Sequence, residues 1–328
     1  MKKRILGKDL EVTAVGLGCM GFTHAYGLPA DEAESEKAIA QAVDFGYTFF
    51  DTAECYVEAR ADGSIAHNEN LVGRALKPYR SQVIIATKFG VQHSPNGLLT
   101  DSSPVNIRRA IDESLRRLQT DHVDLYYQHR MDPKQEPETV AQVMAELIKD
   151  GKILHWGISE TTEEYLRRAH AICPVTCIQN RYSMMARWYE SLFPVLEELH
   201  IGYVAFSPLA NGFLTDSYKK GETFSKGDYR NFMPQFTDKG YDANADLLNY
   251  IRQLAQEHNA TPAQISLAWM ICKKPYIVPI PGSRKAERII ENGKAADIEL
   301  TAAEVAAIDE KLDHIKMSDV FGGHAVTK

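Results

Sequence analysis

Four side chains that can carry or steer a proton stand at or just past the ends of apolar, strand-like runs. Asp51 and Tyr56 follow Gly46-Tyr47-Thr48-Phe49-Phe50, Lys88 follows Val83-Ile84-Ile85-Ala86-Thr87, and His129 follows Val123-Asp124-Leu125-Tyr126-Tyr127-Gln128. Runs of aromatic and β-branched residues read as buried strands. Alone, Asp51 and Tyr56 read equally well as a turn cap and a surface ring. Together the four form a proton-handling set. A free phenol, with a pKa of about 10, is a poor proton donor or acceptor at neutral pH. A neighbouring ammonium favours the phenolate and lowers that value. The aspartate holds the ammonium charged and oriented, and the histidine hydrogen-bonds the same oxygen or a substrate carbonyl. Such a set protonates an oxygen as charge develops on it, which reduction of an aldehyde or ketone requires while hydride adds to carbon. No side chain supplies hydride, so a cofactor must.

The elements that bring these residues together follow from the patterning. Two short strands within 4–15, joined by a Gly-Lys-Asp turn, open the chain. Helical and strand patterns then alternate. A helix over 35–45 behind an Asp31 cap precedes the strand ending at 51, and a helix over 70–76, stopped by Pro78, precedes the strand ending at 88. Past a loop containing His93, Pro95, Asn96 and Gly97, Ser103-Pro104 opens a helix with Ile107, Ile111, Leu115 and Leu118 on one face. After the strand ending at 129 come a helix over 138–149, a strand over 152–159, a helix over 162–171, a strand over 175–179, a helix over 189–200 and a strand over 201–206. An insertion over 210–241, two helices bracketing Thr261-Pro262, a strand over 276–280 and a helix over 285–292 complete the pattern. With a first strand at Val15, this predicts an α/β fold, a (β/α)8 TIM barrel capped below by the N-terminal β-hairpin and followed by a C-terminal extension. No Pro-, Gly- or Ser-rich linker divides it, so residues 1–328 are expected to form a single domain. In such a barrel the strand ends share one rim, and Asp51, Tyr56, Lys88 and His129 converge there.

The totals exclude several classes. With 37 Lys and Arg against 44 Asp and Glu the net charge is −7, which argues against nucleic acid as a partner but leaves room for a local basic pocket. No stretch approaches the roughly 20 apolar residues of a membrane span, so a soluble, cytoplasmic protein is expected. Five scattered cysteines suit a reducing compartment. The close pair Cys173 and Cys177, with His170 nearby, is too small a set for a metal centre and reads as two half-buried cysteines at a strand entrance.

Gly16, Gly18 and Gly21 spell G-x-G-x-x-G, the pattern of a Rossmann dehydrogenase. That fold needs a helix opening at the third glycine. Here Gly21 leads into Phe22-Thr23-His24-Ala25-Tyr26-Gly27-Leu28-Pro29, which is loop chemistry, so a barrel strand approached closely by a ligand or a neighbouring backbone is the better account. Two later stretches suit phosphates: Ser207-Pro208-Leu209-Ala210-Asn211-Gly212 after the seventh strand, and Pro281-Gly282-Ser283-Arg284-Lys285 running into a helix N-terminus after the eighth.

At this point the chain resembles the aldo-keto reductase family over nearly its whole length. The stretches that carry the resemblance include GLGCMG at 16–21, DTAECY at 51–56, HNENLVGRAL at 67–76, ATKFG at 86–90, DLYYQHR at 124–130, GKILHWGIS at 151–159, IQNRYS at 178–183, FSPLANGFLT at 206–215 and PIPGSRKAERIIEN at 279–292. The resemblance implies an NADPH-dependent reductase of small-molecule carbonyls, with Tyr56 as general acid, Lys88 and Asp51 lowering its pKa, and His129 orienting the carbonyl. It implies cofactor contacts from Gly18 and Met20, and Ser159 and Gln179 on the nicotinamide carboxamide with Asn180 close by. Phe206 would stack on the nicotinamide, and Ser207, Leu209 and Gly212 would line the pyrophosphate. Ser283, Arg284 and Arg288 would face the 2′-phosphate, with Glu291 and Asn292 on the adenine. Glu160 stands where many members carry Asn, and Gly282 where some place a Lys on the phosphate. Two arginines near a phosphomonoester favour NADPH over NADH, since each desolvated charge-assisted contact is worth roughly 1.5–3 kcal/mol.

A second reading keeps the barrel as a cofactor-binding, redox-sensing module with little turnover. His24, Tyr26, His93 and the insertion's Phe213, Phe224, Tyr229, Phe232 and Phe236 are expected at the pocket edges. Met184, Met185 and Trp188 read as packing ahead of a substrate wall. The end of the chain, Phe321-Gly322-Gly323-His324, is read either as a cover for the pocket or as disordered.

Overall fold

The computed structural model describes residues 1–94 and 97–321; Pro95-Asn96 of the loop at 93–97 and Gly322-Gly323-His324 of the chain's end lie outside them. Strands β1 (Lys3–Leu6) and β2 (Leu10–Thr13) pair antiparallel around a turn in which Gly7 adopts φ +63°. The chain then lays down β3 (Leu17–Gly18), β4 (Phe49–Asp51), the pair β5 (Val57–Ala59) and β6 (Ile65–His67), β7 (Ile84–Phe89), the pair β8 (Val91–Ser94) and β9 (Gly97–Thr100), β10 (Val123–Gln128), β11 (Ile153–Ser159), β12 (Cys177–Arg181), β13 (Gly202–Phe206) and β14 (Ile277–Pro279). Eight of these form one parallel sheet in the order β3-β4-β7-β10-β11-β12-β13-β14. Backbone bonds from Gly16 N to Pro279 O (2.9 Å) and from Gly18 N to Pro281 O (3.4 Å) join the first strand to the last. The fold is the expected (β/α)8 barrel.

Local chemistry starts and stops the helices that wrap it. Asp31 caps α1 (Glu32–Phe45) by accepting from Glu34 N at 3.0 Å, and Gly46 ends it at φ +107°. Ser103 caps α2 (Pro104–Leu118), whose Ile107, Ala110, Ile111 and Leu118 are buried against the sheet. Each such Leu or Ile stabilises the layer by about 1.5–3 kcal/mol.

The barrel interior follows the strand period of two, which sends alternate side chains inward. Phe49, Ala86, Leu125, Tyr127, Cys177, Val204, Val278 and Ile280 share one buried cluster, and Leu6, Leu10 and Val12 of the hairpin complete it from below. One inward step above these residues on their strands stand Asp51, Lys88, His129, Gln179 and Phe206. A second step on β12 reaches Arg181. The apolar plug and the polar rim are therefore one register.

Several expectations change. The segments after Tyr56 and Phe89 form the hairpins β5–β6 and β8–β9 where only loops were expected. Gly16, Gly18 and Gly21 lead into a single 3-10 turn (Met20–Phe22), and the next helix begins at Glu32, so the Rossmann reading does not hold. The helix expected over 189–200 is a 3-10 turn (Trp188–Leu192) followed by α3 (Phe193–Leu199), the break falling where Pro194 lacks an N–H. Met184 and Met185 are buried in the main core, as packing requires. Cys173 and Cys177 are fully buried, and no metal-holding cluster occurs among the described residues. Of the insertion's rings, Phe213, Phe224 and Phe236 pack against one another, with centroids 5.2–5.6 Å apart, because a long insertion needs its own small core; Tyr229 turns to His24, and Phe232 is exposed. Among the described residues no helix is long and apolar enough to cross a membrane.

The hairpin seats against Gly202, where an added Cβ would lie 2.6 Å from Leu6 Cδ2 and 3.0 Å from Leu6 Cα. Gly202→Ala is expected to lift the plug and cost about 1–3 kcal/mol, read as a lower midpoint in urea denaturation; an unchanged midpoint would show that the hairpin is not packed this tightly.

Candidate active site

Lys88 lies at the centre of the rim and is completely buried. Its Nζ donates to Asp51 Oδ1, to Thr52 O at 2.7 Å and to Tyr56 OH at 3.4 Å. The second carboxylate oxygen of Asp51 accepts from Gln179 Nε2 at 2.7 Å. The ring of His129 stands edge-on to Tyr56, with centroids 5.8 Å apart, and its Nδ1 lies 3.4 Å from Cys55 Sγ. The four residues singled out from the sequence thus come together from β4, its following loop, β7 and the end of β10.

Their environment decides their charges. The expected lowering of the Tyr56 pKa does not hold: burial pushes the phenol up to about 12, Lys88 opposes the rise without overcoming it, and the Asp51 charge adds to it. Burial alone would strip Lys88 of its proton, yet Asp51 and Tyr56 beside it raise its pKa above the usual lysine value. Burial raises the Asp51 carboxyl, and the Lys88 ammonium, with the Gln179 amide, opposes that rise. His129 is driven well below the ordinary imidazole range by burial, then by Arg130, Lys88 and His93, so it is neutral. Burial lifts the Cys55 thiol to about 12, so it keeps its proton.

A buried polar frame holds these strand ends. Thr52 Oγ1 donates to Asn68 Oδ1 (2.6 Å), Asn68 Nδ2 to Cys19 O (2.9 Å), and Thr87 Oγ1 to Glu69 Oε1 (2.6 Å), while Arg117 pairs with Glu69 at 2.6 Å. Asn68 and Glu69 stand just before the helix expected over 70–76 and figure in the sequence analysis only within the HNENLVGRAL stretch; the helix in fact begins at Asn68. Above Tyr56, rings line the mouth: His24 stacks at 6.3 Å, with His93 at 4.9 Å and Tyr229 at 5.6 Å from His24, and Phe321 packs on Tyr229 at 6.2 Å. Tyr26 is half-buried and takes a hydrogen bond from Asn211 Nδ2 at 3.2 Å.

The residues expected to hold a dinucleotide run along one side of the rim. Gly18 is level with Asp51, and a Cβ on it would meet Ile280 O at 2.7 Å; Met20 opens the turn beyond. Ser159 Oγ donates to Gln179 O (2.7 Å) and receives Arg130 Nη1 (3.1 Å). Asn180 Oδ1 accepts from Glu160 N at 2.8 Å. Phe206 is flanked by the guanidinium groups of Arg181 (5.0 Å) and Arg130 (5.9 Å). Ser207, Ala210, Asn211 and Gly212 hold φ between +48° and +97°, a strained loop next to Leu209. Arg284 Nε donates to Gly21 O at 2.5 Å, and Ser283 Oγ accepts from Lys285 N at 3.1 Å. Arg288 pairs with Glu291 at 2.9 Å, and Glu291 also accepts from Thr261 Oγ1 at 2.8 Å, so both are partly spent on each other; Asn292 is buried beside them.

Four polar atoms along this side are buried without a partner: Asn180 Nδ2, Arg181 Nε, Asn211 Oδ1 and Arg284 Nη2. Orphaned buried polar atoms are rare and call for a ligand or water. Donors from β12 to the loop after β14, two of them cationic, together with an acceptor in the strained loop, fit an elongated, anionic, hydrogen-bonding molecule. Arg181 and Asn211 were not singled out from the sequence; counting one more inward step past Gln179 would have found the first.

The chain was compared with known proteins. The sequence model of the Aldo/keto reductase family matches residues 14–313. The chain is 36% identical over 316 residues to an aldo-keto reductase of Strobilurus tenacellus, covering 93% of this chain and 90% of the relative. It is 34% identical over 322 residues to a Schizosaccharomyces pombe aldo-keto reductase designated for NADP(+), covering 96% and 92%. Among solved structures it is similar to a glycerol dehydrogenase from Gluconobacter oxydans, with a TM-score of 0.84, 25% identity and 98% of each chain covered. It is also similar to an aldo/keto reductase from Klebsiella pneumoniae in complex with NADP and acetate, with a TM-score of 0.73, 26% identity, 97% of this chain and 99% of that one. With its barrel, its buried lysine and a family match across nearly all of its length, the chain belongs to the aldo/keto reductase family and is an oxidoreductase.

Proposed function

We propose that this protein reduces aldehyde or ketone carbonyls to alcohols with NADPH, Tyr56 supplying the proton. The observation that carries the reading is the completely buried Lys88 ammonium held between Asp51 and the Tyr56 hydroxyl. The NADP in the name of the S. pombe relative and in the Klebsiella complex supports the choice of cofactor. So does the fit of the orphaned donors and of Arg284 and Arg288 to a phosphorylated dinucleotide. When bound, that cofactor supplies hydride.

The chain's own residues do the rest. Buried and raised to about 12, Tyr56 is fully protonated at neutral pH, the form that donates. As the carbonyl oxygen gains charge it takes the Tyr56 proton, and the Lys88 ammonium stabilises the phenolate left behind. Asp51, fixed by Lys88 and Gln179, keeps that ammonium in place. His129 is neutral, so it serves as a hydrogen-bond donor to the carbonyl and not as the proton source. A Cys55 thiol donating to Nδ1 leaves the ring N–H on Nε2, the tautomer that this task needs. The aromatic mouth around His24 and Tyr229 favours planar or apolar carbonyl compounds.

Three measurements test the assignment. Tyr56→Phe is expected to lower kcat for aldehyde reduction about 100-fold or more while NADPH affinity stays within a few fold; near-normal turnover would remove Tyr56 from the mechanism. Because burial depresses the His129 pKa and raises that of Tyr56, kcat for reduction should show no inflection at the ordinary imidazole value of about 6.5 and should fall only on the alkaline side as Tyr56 loses its proton. An inflection near 6.5 that disappears in His129→Gln would contradict the neutral imidazole. Lys88→Met strands a buried carboxylate and is expected to cost about 3–5 kcal/mol in urea denaturation, much of it recovered in Lys88→Met/Asp51→Asn; equal losses in the two variants would mean that the pair is not the buried unit described.

A further inference from the structure

Arg181 is a charged side chain with no matching charge. It is only 7% exposed, its Nε has no hydrogen-bond partner, and among the described residues its guanidinium makes no ion pair. Its neighbour Arg130 is paired with Glu160 at 3.2 Å, so the carboxylate closest at hand is already engaged. A buried unpaired charge is costly to the fold. A protein keeps one where a ligand provides the opposite charge.

Position identifies that charge. Arg181 is level with Phe206 across the β12–β13 ladder, and its guanidinium lies over that ring at 5.0 Å. Phe206 is followed at once by the strained loop Ser207–Gly212. Besides Arg130 and Glu160, the charges and phenols that act on Arg181 are those of Tyr26 and Tyr189. Tyr26 takes the hydrogen bond of Asn211, whose own Oδ1 is one of the orphaned atoms. The cation therefore sits between the catalytic residues and the loop after β14 that carries Arg284. The rim loop itself cannot offer a cation at position 282, because a Cβ there would fall 2.6 Å from Gly18 O.

We propose that Arg181 is the residue that neutralises the pyrophosphate of the bound dinucleotide, in place of a basic side chain from the loop after β14. The inference rests on the dinucleotide reading above and adds to it a charge contact that serves NADPH and NADH alike, whereas Arg284 and Arg288 would sense only the 2′-phosphate. It also makes Arg181 a source of instability in the nucleotide-free protein, relieved when the ligand binds.

The test is calorimetric titration of the full chain with NADPH, NADH and 2′-phospho-ADP-ribose, which keeps the pyrophosphate but lacks nicotinamide. Arg181→Met, which retains length and contact with Phe206, is expected to weaken all three by a similar factor of about 10 to 100, with Arg181→Lys recovering part of the loss. The nucleotide-free Met variant should also melt higher than the wild type, since the uncompensated charge is gone. Unchanged affinity for all three ligands would overturn the proposal. So would a loss for the two 2′-phosphorylated ligands that spares NADH, which would assign Arg181 to that phosphate. An effect limited to KM for a carboxylate-bearing aldehyde, absent for its methyl ester, would assign it to the substrate instead. Should the wild type bind none of the dinucleotides, the broader reading fails; should it bind them and the Met variant bind equally well, only the role of Arg181 does.

Discussion

An ammonium with no access to water anchors this site. Lys88 is tolerable inside the barrel only because Asp51, the Thr52 carbonyl and the Tyr56 hydroxyl accept its hydrogen bonds. Its position in turn dictates theirs. Remove either member of the Lys88–Asp51 pair and the remaining charge is stranded in a low-dielectric interior, where it costs several kcal/mol. The Thr52–Asn68 and Thr87–Glu69–Arg117 bonds form a second tier that keeps β4 and β7 in the register this contact requires.

The same register divides the barrel into a part for stability and a part for chemistry. β4, β7, β10 and β12 send apolar side chains inward at their lower positions and a polar one above them, and a shift of one residue would turn these inward side chains out of the barrel. The hairpin plug closes the lower end with Leu6, Leu10 and Val12, which lets the upper end remain polar without water entering from below. Burial then does more than exclude solvent. It raises the Tyr56 phenol and depresses the His129 imidazole, so two groups packed within one rim are pushed in opposite directions, as the proposed proton donor and hydrogen-bond donor require.

Along the ligand side of the rim the structure departs from comfortable packing. Non-glycine residues hold positive φ at Glu160, Ser207, Ala210 and Asn211, and an arginine is buried without a partner in the same region. Strain and unsatisfied charge gathered at one place, on a barrel otherwise built from ordinary elements, are what the proposed cofactor site would require of the fold.

Much was legible in the chain before any fold was known. The period-two runs ending in Asp51, Lys88 and His129, the Asp31 and Ser103 caps, and the alternation of strand and helix follow from side-chain chemistry acting over a few residues, and they determined the barrel and which polar residues gather on its rim. Local pattern could not show that burial outweighs Lys88 in setting the Tyr56 pKa, that Gln179 donates to Asp51, that Cys55 lies against His129, or that Arg181 lacks a counter-charge. Nor could it show that the segments after Tyr56 and Phe89 close into hairpins, or that the insertion's phenylalanines pack on themselves. Each of these depends on distances between residues remote in sequence and on how much water reaches them, and only the closed barrel decides either.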